Sequence, residues 1–445
     1  MSFDVIENTL DSICLLVVDC PHSTPVWTES GVVVLRNQNI KNGRLDLTTP
    51  SYTDEEHYKS RTKRAILTEG DIVITREAPM GEVCQIPKGL RCCLGQRQVL
   101  LRANPEKIDS RFLLFALQSP YLQRQIGWNE GTGSTVSNLR IPVLEALKVP
   151  TPPLQVQKEI ASILSALDDR IFFLRETNTT LEAIAKTLFK SWFVDFDPVK
   201  AKAEDRLPEG MDEAIAALFP SEFEESALGL IPKGWRVEKL GDIVQRITKG
   251  TTPTTLKKPF VSSGINFIKA ESMTQDGDFI PDKFAFIDSD THELLRRSQL
   301  QSGDVLITIA GTIGRMAIIT EEFLPANTNQ AVAIIRPISE HLPSGLLSLF
   351  LQTSALREVM DGKIVQAVQA NLSLTSLSDL QLVIPPKQTV SMLYQVGIAH
   401  INDVKKHNRS MIRTLTTLRD TLLPRLISGQ LRLNQAQDLV DEVAA

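Results

Sequence analysis

The sequence predicts an α+β protein in which two copies of one β-rich domain are separated by two long antiparallel coiled-coil helices. Three observations predict this fold. Segments of the chain recur at a shift of about 233 residues, a heptad pattern of apolar residues follows each copy, and a Pro-Pro pair precedes each heptad pattern. A repeat of this length indicates a duplicated domain, because solenoid repeats are far shorter. The duplication gives the predicted molecule pseudo-twofold symmetry.

The repeat is clearest in two strand-and-turn segments, "EGDIVITREAPMG" and "SGDVLITIAGTIG". Each places a Gly-Asp pair before a β-branched run that ends in Thr, and each reaches a further glycine, Gly81 or Gly314. Other segments match in the same order, such as "GQRQVLLR" with "NQAVAIIR" and "PTPPLQ" with "VIPPKQ". The two segments are therefore predicted to form equivalent strands. Asp71 and Asp304 begin these strands, where turn chemistry explains a carboxylate without catalysis.

Each copy is followed by the heptad pattern of coiled-coil packing. The apolar positions of the first pattern are Ile160, Leu164, Leu167, Ile171, Leu174, Leu181, Ala185, Leu188 and Trp192. Those of the second pattern are Ile401, Val404, Met411, Leu415, Leu418 and Leu422. At 1.5 Å per residue, a helix of roughly forty residues is ~60 Å long. A rod of that length suits a spacer.

One asparagine, Asn178 or Asn408, interrupts each seam near its midpoint. Two copies related by a twofold axis that crosses the rod must run antiparallel, so the helix centres meet and the two asparagines lie at the same level. A buried asparagine in an apolar seam needs a polar partner, but it fixes the register of the helices. We therefore predict that the two side chains hydrogen-bond to each other, directly or through water.

The same patterns define the predicted domain boundaries. The first β-rich domain is 1–152, the first long helix 153–197, an acidic connector 198–232, the second β-rich domain 233–386, the second long helix 387–430 and a C-terminal tail 431–445. The connector is polar and contains one short helical pattern near 211–219.

The charge of the chain is unevenly distributed. The formal net charge is −5, and residues 195–229 carry ten carboxylates against three cations. The two β-rich domains are close to neutral, with 17 cations and 17 carboxylates in 1–150 and 15 and 16 in 231–385. A general phosphate binder would show a strongly basic domain, so this distribution fits sequence-selective contact better.

The cysteine spacing and the hydropathy of the sequence indicate the cellular compartment of the protein. The chain has five cysteines, without C-x-x-C spacing, which argues against a disulfide framework and against a zinc site. No apolar run approaches the length that spans a bilayer, and the first residues lack the pattern of a signal peptide. We expect a cytoplasmic protein without a membrane partner.

Motifs for catalysis were not found. The sequence has no Gly-x-x-x-x-Gly-Lys-Ser/Thr loop and no Gly-rich dinucleotide fingerprint, and its six histidines are scattered. The segment "EGTGST" at 130–135 lacks the lysine of a phosphate-binding loop and is predicted to be a flexible turn. The pattern favours a protein that is not itself an enzyme.

Several segments together resemble the DNA specificity subunit of type I restriction–modification systems. These are "PPLQVQKEIASILSALDDRI" (152–171), "LFKSWFVDFDPVKAKAE" (188–204), "LPEGM", "LGLIPKGWRVEKLGDI" and the twin "GDIVIT" and "GDVLIT" strands. The resemblance covers nearly the whole chain. Two departures are Val156 and Gln157 in place of the usual Glu-Gln, and a poorly matching "PPKQTVSMLYQVG" in the second copy, which makes docking at the second helix less well supported.

The resemblance implies a non-catalytic subunit that binds double-stranded DNA. Each β-rich domain would recognise one half of a bipartite target, and the paired helices would fix the distance between the halves. Two modification subunits would bring S-adenosylmethionine and methylate adenine, and two restriction subunits would bring the motor and nuclease activity with ATP and Mg²⁺. This chain itself would bind no cofactor and no metal.

Other readings remain open at this level. The chain could serve a modification-only DNA adenine methyltransferase, or it could be a scaffold that organises proteins without reading bases. A self-contained endonuclease or methyltransferase would need a carboxylate cluster or a cofactor loop. A footprint with two protected patches at fixed spacing separates a DNA reader from a scaffold.

Candidate DNA contacts are long cations and planar donors near predicted strand ends, and a Gly/Pro/Thr loop in the second copy. They are Lys59, Arg61, Lys63, Arg64, Arg76, Arg97 and Gln98 in the first domain, and Lys249, Thr251, Thr252, Lys257, Lys258, Arg296 and Arg297 in the second. Cations suit phosphates, and planar donors suit the edges of guanine and adenine. For the cations, a solvated surface loop is the alternative. Gln96 and Gln330 share a repeat position, which favours a structural role for that pair.

The end of the first long helix carries three aromatic residues, Trp192, Phe193 and Phe196. They provide more ring surface than a seam between two helices needs. Packing on the chain's own domains is the alternative for any one ring. As a group, they are predicted to include a contact with a modification subunit.

Overall fold

The computed structural model describes residues 6–128, 138–338, 341–362, 365–366 and 370–444. The chain divides into two compact units, one of residues 1–174 and 410–445 and the other of residues 175–409. Each unit holds one of the two predicted repeats. The turn predicted at 130–135 lies outside the described residues.

The first repeat is built from short strands and helices. Its strands are β1 (Ile6–Thr9), β2 (Cys14–Asp19), β3 (Val32–Leu35), β4 (Ile40–Lys41), β5 (Arg44–Leu45), β6 (Ser51–Thr53), β7 (Ile72–Thr75), β8 (Val83–Gln85), β9 (Cys92–Leu94), β10 (Gln98–Ala103) and β11 (Lys148–Thr151). Its helices are α1 (Leu10–Ile13), α2 (Glu55–Arg61), α3 (Ser110–Gln118), α4 (Pro120–Gly127) and α5 (Ile141–Glu145). The strands form a sheet of order β2-β10-β7-β8, a sheet of order β6-β3-β9, and the pairs β1-β11 and β4-β5.

Next along the chain come the long helix α6 (Leu154–Phe193) and the connector, which contains α7 (Asp197–Ala203), α8 (Glu213–Ala216), β12 (Phe223–Ser226) and β13 (Gly229–Pro232). The predicted short helix near 211–219 is thus confirmed as α8. Although the connector is rich in polar residues, some of its apolar side chains are packed into a hydrophobic core. Val199, Phe219 and Ile231 are buried in the core of the second unit, and β12 and β13 form an antiparallel hairpin.

The second repeat follows the order of the first. Its strands are β14 (Arg236–Lys239), β15 (Val244–Lys249), β16 (Ile265–Ile268), β17 (Ala285–Ile287), β18 (Val305–Thr308), β19 (Met316–Ile318), β20 (Ala326–Thr328), β21 (Val332–Pro337), β22 (Val365–Gln366), β23 (Ala370–Asn371) and β24 (Gln381–Ile384). Its helices are α9 (Leu240–Ile243), α10 (Ser289–Leu294), α11 (Ser344–Leu351), α12 (Ser354–Gly362) and α13 (Leu374–Ser378). The sheets have the orders β15-β21-β18-β19 and β17-β16-β20, and β14 pairs with β24.

The two repeats therefore share one topology. In both four-stranded sheets, the strand after the Gly-Asp pair is the third in order. It is β7 in the first repeat and β18 in the second. In both three-stranded sheets, the central strand has an antiparallel neighbour on one side and a parallel neighbour on the other. This confirms the prediction that "GDIVIT" and "GDVLIT" form equivalent strands.

The Gly-Asp pairs have the same local cause in both repeats. Gly70 and Gly303 have φ values of 85° and 87°, in the left-handed region that glycine enters without steric penalty. The carboxylate of Asp71 accepts hydrogen bonds from the Arg102 guanidinium at 2.8 and 2.7 Å, and Asp304 does the same at 2.7 and 2.7 Å from Arg336. The predicted turn role of the two aspartates is confirmed, since each also accepts a backbone N–H three residues earlier.

The second heptad segment is helical from residue 387 onward. α14 (Lys387–Tyr394), a π-helical turn at Gln395–Ala399 and α15 (His400–Ile427) follow one another without a break. A π turn holds one residue more than an α turn, and it was not predicted. The C-terminal tail is also helical, as α16 (Leu433–Ala444), and its apolar face packs on the core of the first unit.

The long helices contribute to the core of each unit. In the first unit, Ile160, Leu164, Leu167 and Ile171 of α6 are buried in one cluster, and the buried residues of α15 in that cluster are Leu415, Leu422, Leu423, Leu426 and Ile427. In the second unit, Ala185 and Phe189 of α6 are buried in a cluster with Ile398 of the π turn. Most of the predicted heptad positions are thus core positions.

Candidate nucleic-acid interface

In the first repeat, loops from several strands meet at one edge of the domain. β3 and β9 are parallel and in register at Leu35 and Leu94, so the loops that follow them start side by side. Asn37 donates to the carbonyl of Glu77 at 2.5 Å, which brings in the loop after β7. Gln96 donates to the carbonyl of His22 at 2.8 Å, which brings in the loop after β2. We call these loops, at 20–31, 36–39, 76–82 and 95–97, the first edge.

The second repeat forms an equivalent edge. β16 and β20 are parallel and in register at Ile268 and Thr328. The Thr252 hydroxyl hydrogen-bonds the side chain of Gln330. This contact joins the two loops that are equivalent to those joined by Gln96 in the first repeat. The loops at 250–264, 269–272, 309–315 and 329–331 are the second edge. The structural role favoured for Gln96 and Gln330 is confirmed.

A close backbone approach holds the second edge together. A Cβ atom on Gly250 would lie 1.9 Å from the carbonyl oxygen of Thr328 and 2.4 Å from that of Asn329. Real Cβ atoms do not approach so closely, so glycine is required where the loop leaves β15. Thr251 then donates its backbone N–H to the Thr328 carbonyl at 3.2 Å.

The two edges have the same backbone scaffold but different side chains. The last residue of β2 is Asp19, whereas the last residue of β15 is Lys249. Arg76 follows β7, and its equivalent after β18 is Ile309. Other equivalent positions that differ are Glu77 with Ala310 and Arg97 with Ala331. At these four positions the first edge therefore carries paired charges, whereas the second carries one lysine and apolar residues.

Several predicted DNA contacts are exposed on the surface of their repeat. The exposed ones are Lys59, Lys63, Arg64, Arg97, Lys249, Lys257, Arg296 and Arg297, and the half-buried ones are Thr251, Thr252 and Lys258. Arg64 lies next to the first edge, where it donates to the Asp19 carbonyl at 3.3 Å. Arg97 stands at the tip of its loop with a φ of 63°, and its guanidinium contacts Glu77 at 3.1 Å. DNA contact by these side chains stays a prediction.

The predicted role of Arg61 is wrong. Its side chain is buried, and its guanidinium donates to the carbonyls of Leu94 at 3.0 Å, Gly95 at 2.8 Å and Ser23 at 3.0 Å. These bonds tie α2 to the loops of the first edge. A guanidinium used in this way cannot reach a phosphate.

Gln98 and Arg76 are also occupied inside the domain. Gln98 is fully buried, and its side-chain carbonyl accepts the backbone N–H of Gly95 at 3.0 Å, so the prediction that it reads bases is wrong. Arg76 makes two bonds to Asp19, at 2.8 and 2.9 Å, and donates to the Leu139 carbonyl at 2.9 Å. Its planar donors hold the edge together, so they do not form the free reading group that was predicted.

The aromatic residues at the end of α6 are mostly enclosed by the second unit. Trp192 and Phe193 are 5% and 3% exposed, so the prediction that they contact a partner is wrong for both. Trp192 packs edge-to-face on Phe219 of the connector, and Phe193 lies against Trp235. The reason is that the connector folds back over the helix end.

Phe196 differs from these two rings. It is half-buried, its φ is 57°, and its ring lies 5.7 Å from that of Trp235. Part of the ring stays accessible, so its contact with a partner stays a prediction.

The predicted contact between the two seam asparagines is confirmed. Asn408 donates from Nδ2 to Oδ1 of Asn178 at 2.9 Å, and Asn178 donates to the carbonyl of Lys405 at 3.5 Å. Lys405 also contacts Glu182, one turn further along α6, so the helices run antiparallel within the second unit. Burial works to raise the pKa of Glu182, but the Lys405 ammonium outweighs it and holds that pKa below its usual value. A polar layer thus interrupts an apolar seam.

The sequence reasoning missed one pair of side chains at each edge. The guanidinium of Arg36 lies 5.5 Å from the ring centre of Trp27, and the ammonium of Lys269 lies 5.0 Å from that of Phe260. Each ring stands four residues before a repeated glycine and each cation five residues after it. That shared spacing is the signal that could have found them.

The cysteines and the acidic and histidine side chains are the groups that redox and metal sites require. The five thiols are unpaired, and burial raises the pKa of Cys84 and Cys92 to about 12 and that of Cys93 to about 11, so they stay protonated. Across the described ranges, no group of three or more His, Cys, Asp or Glu side chains is placed to hold a metal ion. In that same part of the chain, no helix combines the length and apolar character needed to cross a bilayer.

Two copies of one scaffold with differently equipped edges define a protein with two distinct recognition faces. The family model described as the type I restriction modification DNA specificity domain matches residues 26–183 and 232–409, one match for each repeat. The chain belongs to this family.

Individual relatives agree with the family match. The chain is 27% identical over 348 residues to the type I restriction enzyme HindI specificity subunit of Haemophilus influenzae, covering 68% of this chain and 73% of that protein. It is 25% identical over 377 residues to the MjaIX specificity subunit of Methanocaldococcus jannaschii, covering 83% and 79%. The crystal structure of a type I restriction-modification S subunit from M. genitalium has the same fold, with a TM-score of 0.57, 16% identity and 96% of each chain covered.

Proposed function

We propose that this chain is the DNA specificity subunit of a type I restriction–modification complex. Each repeat reads one half of a bipartite DNA target through its edge, and the long helices set the distance between the halves. The chain is not itself catalytic. Modification subunits supply S-adenosylmethionine-dependent adenine methylation, and restriction subunits supply ATP- and Mg²⁺-dependent cleavage.

The observation that carries this proposal is the contrast between the two edges. Their backbones are held by equivalent contacts, such as Gln96 with the loop after β2 and Gln330 with the loop after β15. The residues that vary between them, such as Asp19 and Lys249, stand on that fixed scaffold. A rigid scaffold with variable loop residues is how one fold reads different base sequences, because base edges are distinguished by donor and acceptor patterns.

The near-neutral charge of the repeats fits this division of labour. Phosphate contacts supply much of the affinity of a DNA-binding protein, and base contacts supply its specificity. In the proposed complex, the modification subunits contribute part of the phosphate contact. We expect them to dock on the long helices, with Phe196 as one candidate contact, in stoichiometry of two per chain.

A footprint of the assembled complex tests the proposal. The full chain is purified with the modification subunits of its host and bound to duplexes that carry the methylated sites mapped in that host. Two protected patches at a constant spacing are expected. A single patch, or protection that is independent of sequence, would contradict the assignment.

A further inference from the structure

Each edge carries an aromatic ring covered by a cation at the same place in the repeat. In the first repeat Arg36 covers Trp27, and in the second Lys269 covers Phe260. The two pairs differ in chemistry but share their spacing: each ring stands before the equivalent strand, β3 or β16, and each cation directly follows it. Random exposure of side chains would not place two such pairs at one repeat position.

The backbone that carries the rings is fixed in both repeats. Gly31 and Gly264 have φ values of 135° and 149°, and a Cβ atom on either would lie 2.4 or 2.6 Å from a carbonyl oxygen of the neighbouring strand. Three residues before these glycines, Thr28 and Val261 form equivalent bridges to the strands β6 and β17. The ring before each bridge is therefore held by a rigid loop.

The cations lie among the loops of the edges. Arg36 directly follows Leu35, whose strand partner Leu94 precedes the loop 95–97. Lys269 directly follows Ile268, whose strand partner Thr328 precedes the loop 329–331. Each cation is thus positioned where loops from several strands converge.

Arg36 differs from the other arginines of the first unit that cover rings. Arg91 covers Tyr58 at 4.4 Å, but Glu55 holds its guanidinium, and Arg44 covers Phe172 at 4.7 Å, but Asp169 holds its guanidinium. Arg36 is exposed and forms no ion pair with any residue that the structure describes. Its donors are therefore available to a ligand. Lys269 is half-buried, and its ammonium lies 3.8 Å from the exposed carboxylate of Glu271, which is beyond hydrogen-bond distance.

Trp27 contributes little to the core, since 47% of its surface is exposed. The presence of a tryptophan at position 27 is better explained by its effect on Arg36. A guanidinium held over a ring face loses part of its freedom to turn, which limits the directions in which its N–H donors point. Two parallel donors in a fixed plane match the O6 and N7 acceptors of guanine.

We propose that this aromatic–cation pair reads a guanine in each half of the target, through Arg36 in the first half and Lys269 in the second. The inference rests on the proposed function, because it names residues that determine specificity at the two edges. Both side chains suit the O6 and N7 acceptors of guanine, which adenine and the pyrimidines do not present together.

The test measures base preference with the full chain in its complex with the modification subunits of the host. Duplex libraries randomised at one position of the target at a time are bound by the wild type and by Arg36→Ala. The wild type should prefer guanine at one position of one half-site by about 5- to 150-fold over other bases. Arg36→Ala should lose that preference and leave all other positions unchanged. Lys269→Ala should do the same at one position of the other half.

Further variants separate the outcomes. Trp27→Ala should weaken the same preference as Arg36→Ala, and Trp27→Phe should restore most of it. Arg91→Ala is the matched control, because it removes an arginine that covers a ring but is held by a carboxylate, and it should change no base preference. Unchanged unfolding temperatures would show that the variants fold.

Two results would overturn the inference. Uniform weakening on all sequences, with the salt slope reduced by about one, would identify Arg36 as a phosphate contact. Unchanged binding by Arg36→Ala would make the pair a feature of the fold alone. If the wild type itself shows no base preference, the proposed function fails. A selective wild type with an unaffected Arg36→Ala variant overturns this inference and leaves the function intact.

Discussion

Arginines of the first repeat serve different purposes according to what surrounds them. Arg61 is buried and satisfies carbonyls of the first edge, whereas Arg64, three residues later, is exposed. Arg102 is held by Asp71, and hydrogen bonding to that carboxylate raises its pKa. Charge alone therefore does not mark a DNA contact.

Replacing Arg61 by alanine should destabilise the protein. The change leaves the carbonyls of Leu94, Gly95 and Ser23 without their donors in a buried site, and hydrogen bonds to charged groups contribute about 1.5–3 kcal/mol each at most. Because the bonds are not independent, we expect a loss of about 2–4 kcal/mol in the free energy of unfolding. Urea unfolding of the full chain measures it.

The matched control is Lys63→Ala, which removes an exposed cation two residues away and should change stability by less than about 0.5 kcal/mol. Equal stability of Arg61→Ala and Lys63→Ala would contradict the structural role of Arg61.

The sequence could not separate these two roles. Arg61 and Lys63 stand in one basic run. What distinguishes them is a set of carbonyls on both sides in the chain, those of Ser23, Leu94 and Gly95, whose position depends on the completed fold. The same holds for Gln98, which is buried by the sheet that it joins. The aspartates before β7 and β18 were predictable, because turn chemistry acts within a few residues.

At the scale of the helices, a polar layer lies in the seam between α6 and α15. Asn178 and Asn408 bond to each other, and Lys405 contacts Glu182 beside them. A polar layer of this kind fixes register, because sliding one helix along the other would bury the asparagines against apolar side chains. Sliding by a heptad would displace one helix by ~10 Å along the other.

Replacing both asparagines by leucine should raise stability, because an apolar pair in a seam is at least as stable as a buried polar one. Replacing Asn178 alone should lower it by about 1–3 kcal/mol, because Asn408 then loses its partner. Thermal unfolding compares the three proteins. A double variant that is less stable than the wild type would refute this account of the layer.

The double variant should also accept targets with altered spacing between the half-sites, which the wild type rejects. Binding to duplexes whose spacers differ by one to three base pairs measures this effect. An unchanged spacer requirement would show that the register is fixed elsewhere.

The π turn brings a glycine against an aromatic ring. A Cβ atom on Gly397 would lie 2.5 Å from Cζ3 and 2.7 Å from Cη2 of Trp192. Replacing glycine by alanine inside a helix usually stabilises it by up to about 1 kcal/mol. At Gly397 the clash with Trp192 should outweigh this gain, and Gly397→Ala should destabilise the protein by about 1–3 kcal/mol.

Gly362→Ala provides the control, because a Cβ atom there meets nothing within 4 Å. It should leave the melting temperature unchanged or raise it slightly. A Gly397→Ala variant as stable as Gly362→Ala would mean that Trp192 moves freely, against the packing described.

The heptads made both long helices predictable, whereas the π turn was not. Apolar spacing is a local property of the sequence, and it identified the seam and its asparagines. The glycine of the π turn packs on Trp192, a residue of the other helix, and the poor match of "PPKQTVSMLYQVG" in the second copy was the one sign of a difference in the sequence.

At the scale of the whole molecule, duplication explains the fold. Two repeats with the same sheet order and the same edge contacts carry different residues at the loop positions. The repeat in the sequence was sufficient to predict the fold, because topology follows from the shared order of strands. The base preference could not be predicted, because it depends on where loops that are distant in sequence meet.

The most direct test of two independent reading domains is a domain exchange. Residues 1–152 are replaced by the corresponding domain of another family member, and the chimaera is expressed with the modification subunits of the host. Sequencing of methylated adenines then gives its target. We expect one half of the bipartite target to change, with the other half and the spacer length kept. A chimaera in which both halves or the spacer change would contradict the account.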